Sequence, residues 1–188
     1  METSDSPTLD SIGIKNRNLN VPSGLHLSEH QQVLVGSVLD LFEGCPSLKH
    51  LGLWQKEGTF TDNITIAQGY DKYAAQWYGL PAMFDPIELQ KHKILSNGNP
   101  IELEITNKYT VKGMGEGQTM DSLVRIFVGD DGKIAKVEDK WNPSLPEGSI
   151  SEAFRKLNAV MVLTMIKVPE TEQEDMEMKA QRMKDRNE

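Results

Sequence analysis

The chain has 188 residues, and its 20 Lys and Arg against 28 Asp and Glu leave a net charge of -8, which argues against a partner held by nucleic-acid phosphates. Cys45 is the single cysteine, so neither an intrachain disulfide framework nor a cysteine-rich zinc site can form. No apolar run approaches the ~20 residues of a membrane span, and the polar start METSDSPTLD lacks the regions of a secretory leader, so one cytoplasmic domain with polar ends is expected.

Residues 1–24 mix Ser, Asp, Asn, Pro and Gly without an apolar period, and they are expected to form a flexible arm. Ser28-Glu29-His30-Gln31 is a capping box, and Leu34, Val38, Leu41 and Phe42 then recur at helical spacing. Gly44 and Cys45-Pro46 stop that helix, and a short helix or turn follows over 47–51. Short strands are expected over 53–60 and 64–67, around the turn Thr61-Asp62-Asn63. Gly69 opens a helix over 70–79, which Gly79-Leu80-Pro81 should end.

From Ile87 the period becomes two, with a strand over 87–95. The clearest strand is 101–112, which sets Ile101, Leu103, Ile105, Asn107, Tyr109 and Val111 against a wholly polar opposite face. Strands over 120–128 and 134–141 follow, joined by the hairpin turn Asp130-Asp131-Gly132. Ser149-Ile150-Ser151-Glu152 reads as a second capping box, with Ala153, Phe154 and Leu157 at helical spacing after it. The single domain should span 25–169, and the charged stretch 170–188 should be a solvated, frayed tail. Helices grouped before a strand meander indicate an α+β fold. A curved mixed or antiparallel sheet would form a cone with helices across its concave face, plus a C-terminal helix.

That order, with LWQKEGTFTDN (53–63), QGYDKYAAQWYGL (68–80) and VRIFVGDDGKIAKVEDKW (124–141), resembles the nuclear transport factor 2-like superfamily of SnoaL-like and ketosteroid-isomerase-like cones. The resemblance covers residues 28–142. The extension around SEAFRKLNAVMV (151–162) is similar to that of filamentous-fungal SnoaL-like proteins. The resemblance implies a deep apolar pocket and a homodimer formed through the sheet. It does not fix a function, because the superfamily holds isomerases, cyclases, dehydratases, epoxide hydrolases and non-catalytic binders.

Strand parity and the resemblance together nominate the site. Phe60 and Asp62 share a face, and Asp62 falls where the resemblance places a proton-shuttling carboxylate. The alternative is a turn former that bonds its own backbone. Asp139 shares a face with Ala135, Val137 and Trp141, and an acid there needs a partner or a shifted pKa. Asn107 and Tyr109 interrupt an apolar face; they either hydrogen-bond a substrate oxygen or fill volume. The expected catalytic residues are therefore Asp62, Asp139 and Tyr109. The expected substrate-binding residues are Tyr73, Trp77, Asn107, Trp141 and His92. Ser37 or Val38 stands where the resemblance would place an oxyanion-binding tyrosine, and Val124 stands where it would place a second acid. Steroid isomerisation by that mechanism is therefore not expected, and Asp121 would need a three-residue slip to serve.

His26, His30 and His50 read as loop or helix-surface residues, and no two histidines have metal-ligand spacing, so neither metal nor organic cofactor is expected. Gly113-Met114-Gly115-Glu116-Gly117 precedes a strand and so lacks a phosphate-cradling context. Leu123, Arg125 and Phe127 should face outward and carry the dimer contact. Two functions follow from this pattern. One is an acid–base enzyme of isomerase, cyclase, dehydratase or hydratase type, acting on a hydrophobic small molecule. The other is a non-catalytic module for a small ligand or a protein, favoured if Asp62 bonds only its own turn.

Overall fold

The computed structural model describes residues 6–142, 148–162 and 166–186. Its elements in chain order are α1 (Leu9–Ile12), α2 (Glu29–Phe42), α3 (Leu48–Leu51), β1 (Trp54–Thr61), β2 (Ile66–Gln68) and α4 (Tyr70–Met83). After them come β3 (Phe84–Ser96), β4 (Ile101–Val111), β5 (Gly117–Val128), β6 (Ile134–Asn142), α5 (Ser149–Val162) and α6 (Glu172–Asp185). The six strands form one sheet in the order β2-β1-β6-β5-β4-β3. All neighbours are antiparallel except β1 and β6, which run parallel with Phe60 opposite Val137. The sheet is thus mixed, and the class is α+β.

The period-two reading holds along β4, β5 and β6. Leu103, Val124 and Asp139 lie in one row across these strands, and Ile105, Ser122 and Trp141 lie in the next. All six are buried, so this face is the concave one. The opposite face carries Arg125, whose Nε donates to Glu102 at 2.8 Å. Leu123 and Phe127 are half-buried within the single chain, with Lys136 Nζ 5.6 Å from the Phe127 ring centroid. Their apolar patch is therefore smaller than the sequence implies.

Ser28 and Gln31 close their capping box as expected, Ser28 Oγ accepting from Gln31 N at 3.1 Å and Gln31 Oε1 accepting from Ser28 N at 3.0 Å. Helix α4 differs from expectation. It runs past Gly79 and through Pro81 to Met83, because its last turn is pinned inside the molecule. A Cβ on Gly79 would lie 2.5 Å from Leu157 Cδ1 on α5, so this glycine permits a close helix crossing. Helix α5 begins at Ser149 itself, so Ser149 is helical and does not cap.

Both polar ends are tied to the domain. Ile14 is 2% exposed, and a Cβ on Gly36 of α2 would come within 2.6 Å of its Cγ2. The Lys15 and Asn16 amides donate to the Asp40 carboxylate, each at 2.9 Å. The arm read as flexible thus has a buried anchor, which a single isoleucine in a polar stretch does not advertise. At the other end α6 is capped by Thr171 and docks through Asp175. Asp175 accepts from Tyr78 Oη at 2.7 Å and from Leu48 N at 2.9 Å. The frayed tail expected over 170–188 is therefore, across its described part, a docked helix. Asp175→Ala should strip a buried phenol and an amide of their acceptor and cost about 1–3 kcal/mol. Urea unfolding of the full chain checks this, and an unchanged midpoint would mean that α6 contributes nothing.

His50 is also not on the surface. It is 4% exposed, with Nε2 2.8 Å from Asp40 Oδ2 and Nδ1 2.6 Å from Ser47 Oγ. Its partners are an acid ten residues upstream and its own helix cap, so the local pattern alone conceals the burial.

Candidate active site

The buried apolar residues fall into two clusters. The larger lies under α2 and α4 and holds Phe42, Trp54, Phe60, Tyr73 and Trp77. Trp77 meets Phe60 at 4.7 Å and Phe42 at 5.2 Å between ring centroids, and Trp54 stacks on Tyr73 at 4.9 Å. Tyr73 Oη donates to the Gln55 carbonyl at 3.2 Å. Tyr73 and Trp77 are thus packed into this cluster and do not wall the cavity expected beside Trp141. The smaller cluster lies at the mouth of the cone and holds Phe84, Tyr109, Trp141 and Phe154. Phe154 on α5 sits 4.6 Å from Phe84, 5.3 Å from Tyr109 and 5.4 Å from Trp141.

Asp139 lies inside this mouth, 4% exposed. Its Oδ2 accepts from Trp141 Nε1 at 2.8 Å, two residues along the same strand face. Its Oδ1 is buried without a hydrogen-bond partner. Burial pushes the Asp139 pKa up to about 7; the Ser122 hydroxyl, near the carboxyl without closing a hydrogen bond to it, and the Trp141 indole draw it partly back, and the Asp62 charge raises it.

Tyr109 is 5% exposed and accepts from Asn107 Nδ2 at 3.1 Å; the same amide nitrogen donates to the Phe42 carbonyl at 3.0 Å. Burial raises the Tyr109 pKa most, followed by the Asp139 charge, so the phenol stays protonated. Because its oxygen accepts from Asn107, its own proton is free to donate elsewhere. Asn107 Oδ1 is a second buried acceptor with no partner.

Asp62 follows β1 and takes the turn role. Its Oδ1 accepts from Ile64 N at 2.8 Å, and its own amide donates to the Thr65 carbonyl at 3.1 Å. Burial raises its pKa, and the bonds of Ile64 and Thr65 within its own turn oppose that. It acts on Asp139 and Tyr109 as a neighbouring charge. A depression of roughly 370 Å³ opens where β1 leaves β6, lined by Asp62, Asn63, Asp139 and Trp141 among others. Asn63 Oδ1 holds the rim by accepting from Trp141 N at 3.2 Å.

His92 is not part of this site. Its Nε2 accepts from Asn20 N at 2.9 Å, so it fastens the N-terminal segment to β3. Sequence reasoning brought Asp139, Tyr109, Asn107 and Trp141 together but missed Phe154, Phe84 and Ser122 as their surroundings. The apolar stripe of α5 was the available signal, since Ile150, Phe154 and Leu157 need a surface to cover. Among the described residues no group of three or more His, Cys, Asp and Glu could hold a metal ion, and no helix is long and apolar enough to cross a membrane.

No family model and no curated protein matches the chain. Solved structures do. A steroid delta-isomerase from Pseudomonas aeruginosa is similar at 12% identity with a TM-score of 0.54, over 75% of this chain and 97% of that one. A protein conserved in bacteria with a cystatin-like fold, from Silicibacter pomeroyi, is similar at 15% identity with a TM-score of 0.51, over 70% of this chain and 86% of that one. An NTF2-like protein of unknown function from Exiguobacterium sp. aligns at 18% identity with a TM-score of 0.49, over 59% of this chain and 99% of that one. With its mixed curved sheet, helices on the concave face and C-terminal helix, the chain has the cone fold of the nuclear transport factor 2-like superfamily.

Proposed function

We propose that the protein is an acid–base enzyme of isomerase or cyclase type for a hydrophobic small molecule, with Asp139 as its proton shuttle and Tyr109 as its hydrogen-bond donor. The observation that carries this reading is Asp139: a buried carboxyl in an aromatic mouth, its pKa raised to about 7, with one oxygen unpartnered. A group with that pKa exchanges protons in both directions near neutrality. Ionised Asp139 takes a proton from a carbon next to a carbonyl, and the C–H electron pair becomes an enolate double bond. Tyr109 donates to the enolate oxygen, held in place by Asn107. Asp139 then returns the proton at another carbon, and the net change is a shifted double bond with no co-reactant. In this reading burial keeps the Asp139 pKa high, Asp62 adds to it as a neighbouring charge, and Asp62 does not touch the substrate.

Incubating the protein in deuterium oxide with a panel of cyclic β,γ-unsaturated ketones tests this. Wild type should accelerate carbon-bound deuterium uptake for at least one member, and Asp139→Asn should slow it by about 100-fold or more, the usual weight of a general base. Uptake unchanged in Asp139→Asn would remove Asp139 from the chemistry. A second reading, a non-catalytic small-ligand module, is favoured by two observations: Asp62 bonds within its own turn, and Phe154 fills the mouth. Saturable binding of a ketone without any uptake would favour that module.

A further inference from the structure

Two of the unmet hydrogen-bonding groups at the mouth are acceptors, and the third is the Tyr109 proton. Asp139 Oδ1 and Asn107 Oδ1 are both acceptors, buried in residues 4% and 1% exposed, and neither has a partner. The unpartnered indole donors, Trp54 Nε1 and Trp77 Nε1, belong to the other cluster. The charges felt by Asp139 and Tyr109 are of one sign. Asp62 acts from the end of β1, Asp139 acts from β6 on Tyr109, and no cation is among their causes. From β5 comes the Ser122 hydroxyl, and from β3 comes the Phe84 ring. On α5 the charged residues Glu152, Arg155 and Lys156 are exposed, while Ile150, Phe154 and Leu157 face the mouth. On β6 itself Glu138 and Lys140 alternate with Asp139, and Glu138 pairs outward with Arg125 and Lys136.

Aromatic rings around a desolvated carboxylate are a setting in which organic cations bind, the carboxylate attracting the charge and ring faces adding to it. Trp141 meets Asp139 through its Nε1–H edge, which leaves its faces to other contacts. A neutral apolar ligand would leave Asp139 Oδ1 and Asn107 Oδ1 unpaired, and an anion would be repelled by both acids. We infer that the ligand taken at the Asp139 mouth is a hydrophobic organic amine, its ammonium group lying against the unpartnered Asp139 Oδ1 within the aromatic mouth. Access runs through the depression lined by Asp62, Asn63, Glu138 and Lys140, where two acids face one lysine, and the Phe154 ring yields to the apolar part of the ligand. The Tyr109 proton is the donor left over, and it meets an oxygen carried by the same molecule. This inference rests on the reading that the substrate enters at Asp139, and it narrows the substrate class to amines.

Choline and its uncharged isostere 3,3-dimethylbutan-1-ol differ only in nitrogen against carbon, so they are the probes. Calorimetric titration into the full chain should show choline binding at least tenfold more tightly than the isostere at pH 8. Because the cation needs ionised Asp139, with a pKa of about 7, choline affinity should weaken about tenfold between pH 8 and pH 6. Asp139→Asn should abolish both the preference and its pH dependence, with a circular dichroism melt confirming the fold. The pH series uses the unaltered chain, so the test does not depend on that variant. Equal affinities, or a choline affinity indifferent to pH, would overturn the amine assignment while leaving proton transfer by Asp139 standing. If neither probe binds wild type, Phe154→Ala repeats the titration, and no binding there either overturns the amine assignment. In Asp139→Asn, deuterium uptake that stays unchanged while the choline preference is lost would overturn the catalytic reading alone.

Discussion

Replacing Asp40 by alanine should cost about 3–5 kcal/mol, the size expected when a buried, fully hydrogen-bonded charge is removed from its partners. Asp40 is 1% exposed. Its two oxygens accept from Lys15 N and Asn16 N at 2.9 Å each, and from Asn16 Nδ2 and His50 Nε2 at 2.8 Å each. The substitution leaves the Lys15 and Asn16 amides and His50 Nε2 without this acceptor, while Asn16 Nδ2 keeps its bond to Glu43 Oε2 at 2.6 Å. Because those donors hold the N-terminal segment against α2, the segment around Ile14 should detach first, and its amides should exchange faster. A melting temperature lower by roughly 10 °C is the expected result for a chain of this size. An unchanged melting temperature would mean that water replaces the carboxylate. Burial works to raise the Asp40 pKa, but the bonds from His50, Lys15 and Asn16 outweigh it and hold it below 3.8. The stabilisation is therefore present at neutral pH and is lost as pH falls below about 4, through that depressed pKa.

The second large effect has the opposite sign. The Asp139 pKa is raised from 3.8 to about 7 by burial, so the folded state favours its protonated form. As pH rises from about 4 to about 7, the unfolded chain releases this proton and the folded chain retains it, so stability falls over that window. At pH 8 the accumulated penalty is on the order of 4 kcal/mol, from about three pKa units at 1.36 kcal/mol each. Asp139→Asn carries no ionisable proton and can still accept from Trp141 Nε1. It should match wild type near pH 4 and exceed it by a few kcal/mol at pH 8. Urea unfolding at both pH values checks this. A difference between the two proteins that does not change with pH would show that Asp139 titrates normally. A gain in stability paired with a loss of deuterium uptake would mark a group held in a strained state for function.

The sheet was legible because its information is local. Alternation along 101–112 and 134–141 set the inward face, and it correctly put Asn107, Tyr109, Asp139 and Trp141 on it. The capping box at Ser28 was equally plain, since both of its partners lie within four residues. What escaped depends on partners far along the chain. His50 is buried by Asp40, Asp175 is buried by Tyr78 and Leu48, and Asn20 takes His92 out of the site. Composition hides such groups, because a charge in a polar stretch reads as solvated until its acceptor or donor is placed. The continuation of α4 through Pro81 failed for a related reason. The close crossing of Leu157 over Gly79 holds a turn that local propensity would end. Asp62 shows the limit of resemblance: the resemblance places a proton shuttle at this position, yet its Oδ1 accepts from its own turn.

The central claim is that Asp139 is a proton-exchanging group poised near neutrality, and its carboxyl can be watched directly. Wild-type protein labelled with carbon-13 at aspartate, with Asp139→Asn used for assignment, gives the carboxyl shift across pH 3 to 9. A midpoint near pH 7 for Asp139 is the expected result, and a midpoint near pH 4 would contradict it.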